Sequence, residues 1–110
     1  MSHKHRDLAA GRWHTLSFID QMANIGSEIE RTIAWKGKGR PDISGRAFER
    51  VLELIDLTIA DSKNRKRLRE LLRVREAVSD HFYFDNFYRS TPEDWQRYFG
   101  SFLIAARGKR

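Results

Sequence analysis

Two side chains in this 110-residue sequence have the types that acid–base and phosphate chemistry need, at a spacing that keeps them on one broad side of a helix: Arg75 and His81. An imidazole exchanges a proton near neutral pH. A guanidinium offers a fixed positive fork of donors to a phosphoryl oxygen as negative charge develops on it. Together they are the one constellation in the sequence that could carry chemistry. At roughly 100° per residue the two lie about a third of a turn apart around the helix. The same residues also have a structural reading, in which Arg75 pairs with an acid of a preceding helix, Glu28 or Asp56, and His81 closes the helix end. Other chemistry is excluded more simply. With no cysteine there is no thiolate nucleophile, disulfide or sulfur ligand. No Ser-His-Asp set and no carboxylate pair at metal-ligand spacing occurs. Gly37-Lys38-Gly39 lacks the spacing and preceding strand of a phosphate loop and reads as a basic turn. His3 and His5 have no further ligands near them, so no metal and no cofactor is expected.

The element that must position Arg75 and His81 is the stretch from Arg65 to Phe84. Leu68, Leu71, Leu72, Arg75, Val78, Ser79 and Phe82 recur at helical spacing, so this side is expected to face a core, with Arg75 the cation in an otherwise apolar stripe. Lys63, Arg65, Lys66, Arg67, Arg69, Arg73 and Arg75 fall close together and are opposed there only by Glu70. The net charge of +6 makes a polyanion a candidate partner. Clustering favours a binding ridge over cations spread out to solvate helix faces. Lys63, Arg65, Lys66, Arg69 and Arg73 are therefore the candidate nucleic-acid contacts, with exposed Tyr83, Phe87 or Tyr88 available to stack on unpaired bases.

Around this stretch the chain reads as all-α. Residues 1–12 form a loose basic tail, and 13–110 a single helical domain with one core. A first helix over about 14–35 carries Phe18, Met22, Ile25, Ile29 and Ile33 on one face. Gly26 in its middle costs roughly 1 kcal/mol relative to Ala, which a close helix crossing would offset. A second helix over about 43–60, capped by Asp42 or Ser44, carries Ala47, Phe48, Val51, Leu52 and Ile55. The third covers about 63–83 after the capping break Asp61-Ser62-Lys63-Asn64. Thr91-Pro92-Glu93-Asp94 starts a fourth, to about 107, with Trp95, Tyr98, Phe99, Phe102, Leu103 and Ala106 on one face. Short connections make successive helices antiparallel neighbours, so the expected architecture is an up-and-down four-helix bundle.

Arg75-Glu76-Ala77-Val78-Ser79-Asp80-His81, set between two long helices and a following aromatic helix, resembles the arginine–spacer–histidine motif of the HEPN superfamily of small all-α domains. Glu76 and Asp80 depart from that family's usual residues and add negative charge to the motif. The resemblance implies RNA as substrate, Arg75 and His81 as the catalytic residues of a metal-independent ribonuclease, and a toxin–antitoxin type of component that pairs its motifs by dimerisation.

Nine aromatic residues lie between positions 82 and 102, more than one helical face of so small a core can bury. Phe84, Phe87 and Tyr88 are the surplus and form a candidate oligomer interface, a homodimer being the simplest case. No apolar run reaches the ~20 residues that cross a bilayer, and the basic start lacks the apolar segment expected of a signal peptide. A cytoplasmic protein without membrane contact is the expectation. RNA binding through the ridge is the leading function. A non-catalytic oligomeric adaptor is the alternative.

Overall fold

The computed structural model describes residues 10–108; the first nine residues of the expected tail, with His3 and His5, and the terminal Lys109 and Arg110 lie outside them. The protein is all-helical, with no strand among the described residues. A short helical turn at residues 10–14 precedes four long helices: α1 (Phe18–Gly37), α2 (Pro41–Ala60), α3 (Leu68–Tyr83) and α4 (Pro92–Gly108). A 3₁₀ segment, Ser62–Arg67, leads into α3.

The helix boundaries have local causes. Helix α1 opens later than expected because Ser17 is its cap: the Ser17 hydroxyl accepts from the Asp20 N–H at 3.1 Å. It closes where Gly39 takes a left-handed φ of 74°. The expected caps of α2, Asp42 and Ser44, are both inside the helix, which starts at Pro41 after Arg40 with no side-chain cap. Asp42 instead pairs with Arg40, and the buried Ser44 hydroxyl donates to the Thr32 carbonyl at 2.8 Å, tying the end of α1 to the start of α2. The start of α4 is the reciprocal arrangement its sequence predicts. Thr91 Oγ1 accepts from the Asp94 N–H at 3.1 Å and Asp94 Oδ2 accepts from the Thr91 N–H at 2.8 Å.

Helix α1 packs on α2 and on α4, and α3 packs on α2. Specific side-chain contacts fix how the helices meet. Ser44 near the start of α2 reaches Thr32 near the end of α1, and Phe18 at the start of α1 meets Phe102 near the end of α4 at 5.7 Å between ring centroids. Phe48 early in α2 meets Tyr83 at the end of α3 at 4.7 Å, and Glu70 early in α3 bonds Tyr98 of α4. At the crossing of α1 and α4, Gly26 leaves so little room that a Cβ placed there would lie 2.8 Å from the Cβ of Phe99. The glycine's cost is offset as its position predicts.

The core is formed by Trp13, Met22, Ile25, Ile29, Phe48, Val51, Leu54, Ile55, Leu71, Val74, Val78, Trp95 and Phe99. In α3 the buried line is Leu71–Val74–Val78, whereas Leu68 and Leu72 of the expected stripe are exposed. The inward side is thus turned away from the line through Leu72, Arg75 and Ser79, since α2 and α4 approach α3 from two sides and neither covers its outer edge.

Candidate nucleic-acid interface

Lys66, Arg69 and Arg73 line one rim of a groove of about 560 Å³ between α3 and α4, whose remaining wall is Glu70, Val74, Ala77, Trp95 and Tyr98. Arg69 and Arg73 are one turn apart, about 6 Å along the axis, and Lys66 stands at the end of the 3₁₀ segment just before them. All three are exposed, and none makes an ion pair among the described residues. Arg65, also exposed and unpaired, lies beside this row but not in the groove.

The single acid of the stretch does not neutralise them. Glu70 accepts from the Tyr98 hydroxyl at 2.6 Å and from Arg67 at 3.4 Å. Burial, and then the Glu70 carboxylate, push the Tyr98 phenol far above its ordinary value, so Tyr98 stays a neutral donor. Arg67 is further occupied over the Phe18 ring, at 4.9 Å from its centroid.

Lys63 has a structural task. Its ammonium donates to the carbonyls of His14 (2.7 Å) and Leu16 (2.9 Å) and to the Asp61 carboxylate. Three donors meet three acceptors, and the chain entering α1 is bound to the α2–α3 junction. Lys63 is thereby withdrawn from the row of phosphate contacts expected from sequence.

It belongs to a buried polar cluster that the sequence did not disclose. Gln21 donates to Asp61 Oδ2 at 2.9 Å and to the Trp13 carbonyl at 3.0 Å. Asn64 donates to Gln21 Oε1 at 2.8 Å and to the Thr58 carbonyl at 3.0 Å, and Trp13 Nε1 donates to Thr58 Oγ1 at 2.9 Å. Every buried side-chain polar atom among the described residues has a partner, so this cluster organises the junction and offers no vacancy to a ligand.

Arg75 and His81 do not converge. Arg75 turns toward α2, where its Nε donates to Asp56 Oδ1 at 2.7 Å and its Nη2 to Oδ2 at 3.3 Å. His81 turns toward the start of α4: Nδ1 is 2.9 Å from Ser90 Oγ, and the ring packs edge-on against Trp95 at 6.4 Å. The third of a turn between the two residues is enough to give them different neighbouring helices. The pair therefore follows the structural reading of these residues, with Asp56 as the acid.

Phe84, Phe87 and Tyr88 are exposed on the loop from α3 to α4, and beside them Leu72, Arg75, Glu76, Ser79 and Asp80 complete a second shallow groove on the other flank of α3. Sequence reasoning missed the apolar wall of the first groove. Trp95 and Tyr98 stand one turn apart on α4 opposite Val74 and Ala77, a pairing visible only once α3 and α4 are placed side by side. Among the described residues, no three histidine or acidic side chains come together in reach of one metal ion, and no helix is long and apolar enough to cross a membrane. No family model, curated protein or solved structure matches this chain.

Proposed function

We propose that this protein, its four long helices arranged as an up-and-down antiparallel bundle, binds single-stranded RNA along the groove between α3 and α4. The observation that carries this reading is the row Lys66, Arg69 and Arg73: three uncompensated cations on one rim of an apolar, aromatic-walled groove. A row of cations tracks a phosphate backbone, and an extended strand laid along it brings its bases toward the apolar wall. Duplex would present phosphates without bases, and the wall would go unused. The likeness to HEPN domains enters only through RNA as the ligand class, since binding requires no pairing of Arg75 with His81.

The test is titration of a labelled single-stranded RNA against the protein by fluorescence anisotropy over a range of salt concentrations. Each phosphate contact on a single strand contributes a slope of about −0.7 in log affinity against log salt, so three contacts give roughly −2. Replacing Lys66, Arg69 and Arg73 by Ala lowers the affinity and flattens the slope. Absence of binding at low salt, or binding indifferent to the triple change, overturns the proposal. Cleavage of the RNA that His81→Ala abolishes while binding persists is the outcome that would add catalysis.

A second reading, a non-catalytic protein-interaction module, is favoured by one separate observation: the exposed rings of Phe84, Phe87 and Tyr88 on a loop held in place by hydrogen bonds.

A further inference from the structure

The aromatic loop forms a built face. Asp80 accepts from the N–H groups of Phe87 (2.8 Å) and Tyr88 (3.1 Å), and its carbonyl from that of Asn86 (3.1 Å). The Tyr88 hydroxyl donates to Glu76 at 2.9 Å, and Phe87 and Tyr88 stand edge to face at 5.6 Å. Covering a face whose rings are already placed costs little further ordering.

The face is also large. Leu72, Phe84, Phe87 and Tyr88, which line it together, are 51%, 72%, 81% and 55% exposed. With roughly 150–250 Å² available on each aromatic side chain and somewhat less on the leucine, they present about 500 Å², at the upper end of what a monomer exposes in one patch. Two such faces brought together remove about 1,000 Å² from water, the size at which specific interfaces begin.

Its rim carries free charge of both signs. The side chains of Asp85 and Arg89, on either side of Phe87 and Tyr88 in the chain, are exposed and have no hydrogen-bond or ion-pair partner among the described residues. A rim of one sign would call for a foreign partner of the opposite sign. One free charge of each sign around an apolar centre is self-complementary under a two-fold rotation.

We infer that a second copy of this chain covers the face about a two-fold axis, Asp85 of each copy meeting Arg89 of the other across Phe87 and Tyr88. This names the partner for the protein-interaction reading above and is independent of the RNA groove.

Sedimentation equilibrium of the full chain tests it directly. The expected mass at tens of micromolar is twice the 13.0 kDa of one chain. Phe87→Ser is expected to give a monomer whose helical circular dichroism is unchanged. Asp85→Arg and Arg89→Asp, each alone, set like charges against each other and weaken the dimer by about tenfold or more. Combined in one chain they restore opposite charges and the dimer. A wild-type monomer at high micromolar concentration overturns the inference and leaves the face to another partner. A double variant no tighter than the singles, or an assembly that grows beyond two copies, overturns the two-fold contact. RNA binding by the groove is read separately by anisotropy, so loss of either property leaves the other measurable.

Discussion

Asp61 shows how one side chain can govern a junction. Burial by itself would raise its carboxyl, but hydrogen bonds from Lys63 and Gln21 outweigh that effect and hold it below the ordinary carboxylate value. The charged form is the one that stabilises the fold. Its contribution is complete above the unfolded carboxylate range and is lost as pH falls through the lowered folded-state value. Asp61→Asn is expected to lower stability by about 1–3 kcal/mol at neutral pH, since Lys63 and Gln21 lose an acceptor. The gap from wild type should close in acid, as urea midpoints at pH 7, 5 and 3 would show; a gap constant across that range would remove Asp61 from this role. Arg75 is the contrasting case. Its pair with Asp56 is partly solvated on both sides and contributes about 0.2–1 kcal/mol. Arg75→Gln should therefore cost less than about 1 kcal/mol in urea unfolding and leave RNA affinity unchanged. A tenfold loss of affinity would return Arg75 to the interface.

Two contacts decide how the helices and their connections sit. Gly26 allows α1 and α4 to cross with the Cβ of Phe99 against the α1 backbone. Gly26→Ala gains roughly 1 kcal/mol of helix propensity but meets an atom next to a main chain, which cannot swing aside. Overpacking of this kind costs about 1–3 kcal/mol, so thermal unfolding is expected to show a net loss. A stabilised variant would mean that the helices part without penalty. The connection from α3 to α4, which holds Asn86 and Arg89 at a φ of 53° each, depends on Asp80, whose carboxylate holds two loop amides. Asp80→Ala should speed hydrogen exchange at the Phe87 and Tyr88 amides and leave exchange in α3 ahead of it unchanged. Exchange that stays slow at both amides would show that the loop holds its own conformation.

Over the whole molecule, α3 separates two surfaces of different character. Lys66, Arg69 and Arg73 face the groove shared with α4, while Leu72, Glu76 and Asp80 face the aromatic loop. The two surfaces share no lining side chain, and Arg73 of the first reaches the second through its charge at Tyr88, so changes on them should be close to additive. The Lys66, Arg69 and Arg73 triple alanine variant is expected to keep its sedimentation behaviour while losing RNA. Phe87→Ser should keep the salt slope while losing the dimer. A variant that loses both with its circular dichroism intact would show that RNA binding requires two copies.

Local patterns in the chain determined the helices themselves: the apolar stripe of α1, the Thr91–Asp94 start of α4 and the punctuation at Gly39 depend on neighbours within a turn or two. The close crossing at Gly26 was legible for a similar reason, because an unexplained glycine inside a helix requires a neighbour close enough to use its missing Cβ. Placement around α3 was not legible. A third of a turn between Arg75 and His81 is compatible with one shared groove or two separate ones, and only the approach of α2 to one flank and α4 to the other decided between them. Lys63 counted as one more exposed cation until folding brought Asp61 and the carbonyls of His14 and Leu16 to its ammonium. Gln21, Thr58 and Asn64 carry no periodic signal, since a buried polar residue is recognised by its partners, and those partners lie as far as 45 positions away in the chain. Helical periodicity specifies which side of a helix turns inward, whereas which atoms meet there is a property of several helices at once.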